Sequence, residues 1–215
     1  MTETTVVIKT VGRPTLKNAI KSAKREGFKV WVISDGEKVS AQGATKLITL
    51  GKRWGFYGGM AANVGAALIP TPFITFLDDD DEFIEGAGDV LRQRLTERPE
   101  VDVWISGVRF NREITIYNTQ TGEPRYTSCD LATRPEQGLS EGNVAMPTYR
   151  RDLFSKIPFV DRLPEDLQHV TDLTHVQLCA QEGYNVDWVG DVLYLVRPEK
   201  KAVEGKDSIN GGGLR

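Results

Sequence analysis

"VVIKTVGRPTLKNAIKSAKREGFKVWVIS" occupies residues 6–34. Val6 to Thr10 is a short, largely apolar and β-branched run, which predicts a buried strand. After Arg13-Pro14-Thr15, the residues Leu16, Ala19, Ile20 and Ala23 recur at helical spacing and share one face, and Gly27 can end that helix. Phe28 to Ser34 returns to strand composition. Strand, helix and strand within about thirty residues make a βαβ unit, whose crossover is right-handed and whose ligands gather outside the carboxyl ends of the strands. Those ends are "KTVGR" at residues 9–13 and "SDGEK" at residues 34–38.

The rest of the chain extends the same pattern. "KLITL" (46–50) predicts a third strand, followed by the aromatic, glycine-rich "GKRWGFYGGM" (51–60), a small-residue helix at "AANVGAALI" (61–69) and a strand at "TPFITFL" (71–77). A helix is expected at "GDVLRQRLTERP" (88–99). Strands are expected at "VDVWISGVRF" (101–110) and "EITIY" (113–117), pairing antiparallel with each other. The polar, turn-rich stretch from Asn118 to Gly142 reads as a surface excursion, and "NVAMPTYRRDLFSKI" (143–157) returns to a strand and a short helix. "TDLTHVQLCAQEGYNVDWV" (171–189) places Leu173, Val176 and Ala180 at helical spacing, with a stop at Gly183 and a strand beyond. The fold class is therefore α/β, a mixed and mostly parallel sheet flanked by helices. Residues 1–197 are expected to form one domain, and the charged, glycine-ended 198–215 a flexible tail.

Composition narrows the partners. Lys and Arg number 27 against 30 Asp and Glu, a net charge of −3 over 215 residues. No general basic surface recommends nucleic acid as a partner. Cys129 and Cys179 lie far apart without metal-ligand spacing, which fits a reduced intracellular protein. The N-terminal apolar stretch is too short for a signal peptide, and nowhere do about 18 apolar residues follow one another, so no transmembrane segment is expected.

"PTPFITFLDDDDEF" (70–83) sets four aspartates against an apolar strand. Two carboxylates 4 Å apart repel by about 4 kcal/mol at an effective dielectric near 20, so the run is costly unless a cation joins it. On extended backbone Asp78 and Asp80 would share one face, and Asp79 and Asp81 the other. Two carboxylates are too few for an all-protein cage, but Mg²⁺ or Mn²⁺ so held completes its shell with water and substrate phosphates. A metal-chelated nucleoside diphosphate is the expected ligand; the plainer alternative is a solvated acidic loop. An EF-hand is excluded by Phe83 at its sixth position and Asp89 at its twelfth. No GxxxxGK[ST] occurs, and no GxGxxG follows the first strand.

"VVIKTVGRPT", "VWVISDG", "MAANVGAAL" and "FITFLDDDDEF", in that order, resemble the GT-A fold glycosyltransferases, most closely the inverting family-two group. "NVAMPTYRRDLF" resembles the acceptor-side segment of those enzymes, and residues 170–197 resemble the helix that begins with the catalytic acid together with the tyrosine-arginine strand after it. The likeness spans about residues 4 to 197. It implies that Thr10 and Asp35 contact the nucleoside, Asp35 accepting from the base, and that Arg13, Asp78 and Asp79 also belong to the donor site. It implies Asp80 as the principal metal ligand, with Asp78, for Mn²⁺ or Mg²⁺, and Asp172 as the catalytic base. A helix-start acid favoured by the helix dipole is the plainer account of Asp172. His175 reads as a metal-site supplement or, more plainly, as a surface or hydrogen-bonded histidine.

Departures from the pattern are specific. The family's frequent arginine is Ala62 here, leaving Lys52, Arg53 or Arg13 to meet the diphosphate. The glutamate before the base is Thr171, and Asp166 is a competing carboxylate. Trp54 and Tyr57 are candidates for a lid over the donor or for packing residues of a static loop. The implied reaction is metal-dependent, inverting transfer from a nucleotide-diphosphate sugar, UDP-sugar first, to a glycan or other hydroxyl acceptor. Alternatives of the same fold are a sugar-nucleotide nucleotidyltransferase, whose glycine-rich loop "KTVGRPTLKNA" lacks, and a non-catalytic nucleotide- or carbohydrate-binding module. The expected location is cytoplasmic and soluble, in the host cytoplasm if the source is a virus.

Overall fold

Strand β1 (Thr4–Thr10), helix α1 (Leu16–Arg25) and strand β2 (Lys29–Ser34) form the βαβ unit. In this computed structural model, residues 3–55, 58–117, 124–131, 145–159 and 171–196 are described. The anticipated helix face holds: Leu16, Ala19, Ile20 and Ala23 are all buried. Lys24 and Arg25 occupy the last turn of α1, where the helix dipole favours cations. The helix ends as Phe28 N–H reaches back to Ala23 O at 3.1 Å, with Gly27 at φ +78°.

β1 pairs in parallel with β2 on one side and with β4 (Phe73–Asp78) on the other, so Val6 sits opposite both Val30 and Thr75. β3 (Lys46–Thr49) extends the parallel half beyond β2. Direction reverses at β8 (Ala145–Arg150), antiparallel to both β4 and β6 (Val103–Tyr117). β9 (Val186–Val196) lies parallel to β6 and carries the two-residue β5 (Glu82–Phe83) at its far side. The sheet order is β3-β2-β1-β4-β8-β6-β9-β5, with β7 (Pro124–Leu131) attached to β6. The carboxyl ends of β1, β2 and β4 therefore open on one edge.

Two cores sandwich the sheet. One gathers Val6, Ile8, Val30 and Leu77 with α1 and with Leu91 and Leu95 of α3 (Ala87–Glu97). The other gathers Val7, Ile33, Phe76 and Tyr149 with α2 (Gly59–Leu68), the 3-10 turn Arg151–Ser155 and Val176 and Cys179 of α4 (Thr171–Gln181). No helix among the described residues is long and apolar enough to cross a membrane.

The sequence expectation differs from the fold in three places. Residues 103–117 form one strand rather than an antiparallel pair; the antiparallel partner is β7, inside the stretch read as an excursion. Phe83 creates β5 by wedging between the Phe28 ring at 5.0 Å and the Tyr194 ring at 4.8 Å. The buried face of α4 carries His175, Val176 and Cys179, while Ala180 is exposed, because the His175 ring is drawn into an aromatic stack. The tail 198–215, Asp166, Tyr57 and the rest of 118–142 lie outside the described residues.

Candidate active site

The apolar run of β4 is buried from Phe73 to Leu77 and ends at Asp78. There the chain turns: Asp81 N–H donates to Asp78 O at 3.2 Å. The turn ends the strand alternation, so Asp81 joins Asp78 and Asp80 on one side, and each offers a carboxylate oxygen within 4.8 Å of the others. Such a set of hard oxygen donors is compatible with a divalent metal.

Asp79 points the other way and is 1 % exposed. Its Oδ2 accepts from Thr10 Oγ1 at 2.5 Å and from the N–H groups of Val11 and Arg13 at 3.3 and 3.4 Å; its Oδ1 accepts from Arg13 Nη1 at 2.5 Å. The Thr10 hydroxyl also accepts Gly12 N–H at 2.9 Å. Thr10, Arg13 and Asp79 are thus brought together as a clamp on the β1–α1 loop. Arg13 Nη1 also lies 3.4 Å from Asp80 Oδ1, linking the buried acid to the open cluster. Burial works against the Arg13 charge, but its bond to Asp79 and the Asp79, Asp80 and Asp78 charges outweigh it and raise the guanidinium above its ordinary range.

Asp35, at the end of β2, is buried beside this clamp, its N–H donating to Thr10 O at 2.9 Å. Its two carboxylate oxygens accept the N–H groups of Trp54 and Gly55 at 2.7 and 2.8 Å. Each oxygen keeps a second lone pair. Gly36, at φ +82°, makes this contact feasible: a Cβ there would come within 2.4 Å of Arg53 N. The loop presents Trp54, 40 % exposed, with the Lys52 ammonium 4.1 Å from its ring centre.

Asp172 lies in the first turn of α4 and is partly buried. Burial raises its carboxyl above the ordinary value, the Lys9 ammonium pulls it back, and Asp78 adds to the rise. Those influences put Asp172 in electrostatic reach of the acid cluster. Lys9 Nζ is 3.2 Å from Asp78 Oδ1. Burial would lower its ammonium, but the charges of Asp78, Asp172 and Asp81 more than reverse that and hold it above its ordinary range. Sequence reasoning did not single out Lys9 or Asp81. The available signal for Lys9 was a lysine between Ile8 and Thr10 in an otherwise buried strand.

His175 is committed elsewhere. Its Nε2 donates to Ile157 O at 2.8 Å, and its ring stacks on Phe159 at 4.2 Å. Burial lowers its pKa. Beneath it the Tyr149 hydroxyl is buried without a hydrogen-bond partner among the described residues, and burial and then the Asp172 charge hold it well above its ordinary range. Ala62 is buried in α2, and Asn63 pins the Phe159 backbone through bonds of 3.1 and 2.8 Å. An open groove of about 700 Å³ between the 3-10 turn and α4, lined by Ile157, Phe159, Leu178 and Tyr184 among others, includes none of Asp35, Asp78, Asp79, Asp80, Asp81 and Asp172.

Three comparisons bear on this geometry. Curated proteins give no sequence match. Among solved structures, TarS 1-349 from S. aureus is similar with a TM-score of 0.62 at 14% identity, over 90% of this chain and 60% of that one. The same protein in complex with UDP-GlcNAc gives a TM-score of 0.57 at 13% identity, over 94% and 62% of the two chains. The mannosyltransferase PcManGT from Pyrobaculum calidifontis, in complex with GDP-Man and Mn²⁺, gives 0.61 at 12% identity, over 93% and 58%. The chain thus spans about three fifths of the length of these structures, and at such identity the likeness establishes the GT-A fold. The family model described as glycosyl transferase family 2 matches residues 5–158, well over half of the sequence, and the chain belongs to that family.

Proposed function

We propose that this chain transfers a sugar from a nucleoside-diphosphate donor to an acceptor hydroxyl, with inversion and with a divalent metal. UDP-sugar is the first choice of donor. The observation that carries this reading is the meeting of Asp78, Asp80 and Asp81 at the carboxyl end of β4, beside the ends of β1 and β2. Support also comes from the family and from solved relatives described with UDP-GlcNAc, or with GDP-Man and Mn²⁺.

Mn²⁺ or Mg²⁺, held by Asp80 and Asp78 with Asp81 beside them, would neutralise charge on the departing diphosphate. The chain's own residues do the rest. Asp172 takes the proton of the acceptor hydroxyl as that oxygen bonds to the anomeric carbon and the bond from that carbon to the diphosphate oxygen breaks. A carboxyl raised above its ordinary value is the stronger base once ionised, and such proton transfer contributes about 10² to 10⁴-fold. The Thr10–Asp79–Arg13 clamp fixes the loop against which the donor packs, and half-exposed Arg13 is the basic residue nearest the acids able to turn toward a diphosphate. Asp35 offers its remaining lone pairs to a base N–H while it holds the Trp54 loop.

Thermal unfolding with UDP, GDP, dTDP, CDP and ADP, each with Mn²⁺ or EDTA, tests the reading on wild type and Asp80→Asn. A nucleotide at a hundred times its Kd adds about 2.7 kcal/mol, a rise of about 5–10 °C for a domain of this size. One diphosphate should stabilise only with metal and only with Asp80 intact; no shift with any of them sinks the proposal. Anomeric configuration of the product by NMR tests inversion. Pyrophosphate release from a nucleoside triphosphate and a sugar phosphate would instead indicate a nucleotidyltransferase.

A further inference from the structure

We propose that Lys9 is a resident counter-charge that makes metal binding wait for the nucleotide, so that a bare divalent ion is held weakly and a metal–diphosphate chelate tightly. The inference rests on the metal reading of the acid cluster given above. Lys9 and Asp78 are register partners on β1 and β4, and the ammonium lies 3.2 Å from Asp78 Oδ1. Its charge also bears on Asp81 and Asp172, so one ammonium serves two members of the candidate metal set and the candidate base.

What distinguishes Lys9 is that it is pinned. Gly58, at φ +83° and the start of α2, lies against its stem: a Cβ there would come within 2.9 Å of Lys9 Cδ and 3.2 Å of its Cβ. The side chain is 11 % exposed, whereas Arg13, the other cation at the cluster, is 48 % exposed. Arg13 is half exposed and bonded chiefly to Asp79, outside the metal set; Lys9 is enclosed and held at the acids of that set. A dication entering between Asp78, Asp80 and Asp81 therefore meets a fixed like charge within a few ångströms, in a partly buried place where water screens it poorly. A diphosphate brings negative charge that offsets both cations at once. Metal and nucleotide binding are coupled through this one side chain, and coupling of that kind is reciprocal. Lys9 is here a positioning residue: it keeps the acids ordered before the donor arrives.

The experiment is Mn²⁺ binding to the full chain, followed by the EPR signal of free Mn²⁺, without nucleotide and with saturating UDP, after subtracting Mn²⁺–UDP association in buffer. Wild type should bind Mn²⁺ at least about tenfold tighter with UDP than without. Lys9→Met should bind bare Mn²⁺ at least about tenfold tighter than wild type and show a smaller effect of UDP, while Lys9→Arg stays within about threefold of wild type. Circular dichroism checks that each variant is folded, and Lys9→Gln replaces Lys9→Met if that variant is not. A folded Lys9→Met or Lys9→Gln that gains no Mn²⁺ affinity overturns the proposal. So does wild type that binds bare Mn²⁺ as tightly as with UDP, which needs no variant. Wild type that binds no Mn²⁺ in either condition removes the metal reading itself, and with it the role of Lys9.

Discussion

Asp79 and Asp80 are neighbours in the chain, yet one lies inside a net of donors and the other in the open cluster. Replacing Asp79 by Ala takes the closest partner from half-exposed Arg13, which keeps Asp80, and leaves the buried Thr10 hydroxyl without its acceptor; a buried donor so orphaned costs about 1–3 kcal/mol. Urea denaturation should show that loss, while Asp80→Asn stays within about 0.5 kcal/mol of wild type, or above it through relieved repulsion. His175 supplies a second prediction. Its folded pKa lies below the unfolded 6.5, so the unfolded chain binds the extra proton and stability falls as pH drops below that value. Asp172 works in the opposite sense, since its raised carboxyl lets the folded state hold the proton above the ordinary 3.8. Unfolding free energy measured from pH 7.5 to 5.5 should therefore fall more in wild type than in His175→Asn. The acid run was legible because charge against an apolar strand demands a reason. Lys9 was not, because a lysine near a strand end reads as surface until Asp78 and Gly58 are seen to enclose it.

Among the elements, the βαβ unit was legible because its helical face and its strands follow simple periodicity, and α1 buries the residues that periodicity names. β5 was not legible: two residues carry no period, and Phe83 finds its place only between rings from β9 and the α1–β2 junction. The helical spacing of α4 misassigned Ala180 because a histidine counted as polar is buried by stacking and by its bond to Ile157. The loop of Lys52 to Gly55 is the element most exposed to a single change. Gly36→Ala places a methyl where Arg53 N already sits and strains a left-handed backbone, so it should cost about 1–3 kcal/mol. It should also pull the loop away from Asp35, raising the donor KM more than it lowers kcat; a thermal scan and steady-state kinetics would check both. A donor KM equal to that of wild type would remove the loop from the donor site.

Across the whole molecule, the two cores carry different loads. Leu91 belongs to the face of α1 and α3, away from the acids, whereas Phe76 supports Tyr149, Phe154 and Phe159 beneath α4, at ring distances of 5.9, 5.6 and 5.5 Å. Both Leu91→Ala and Phe76→Ala should destabilise by about 2–5 kcal/mol. At 15 °C, where both remain folded, Leu91→Ala should keep its kcat within about twofold, while Phe76→Ala should lose tenfold or more as the helix bearing Asp172 loosens. Equal kinetics in the two variants would mean that α4 is held by something other than its aromatic bed. At this scale the overall class was legible from the order of motifs alone, while the strand order of the second half was not, because β8, β6 and β9 pair across long stretches of chain.

β9 lies in the interior of the sheet, between β6 and β5, although it is the last described strand in the sequence. That position acts on time. During synthesis β5 and the flank of β6 wait for their neighbour: Phe83 pairs with Tyr194, roughly 110 residues later, which at 5–20 residues per second is on the order of 6–20 s. Through that interval the nascent sheet carries a slot one strand wide, its backbone donors and acceptors open to water, to chaperones or to a stray strand from another chain. The parallel half bearing the acids can be assembled long before the slot is filled, so growth of the chain, rather than closure of the N-terminal unit, sets when the molecule is whole.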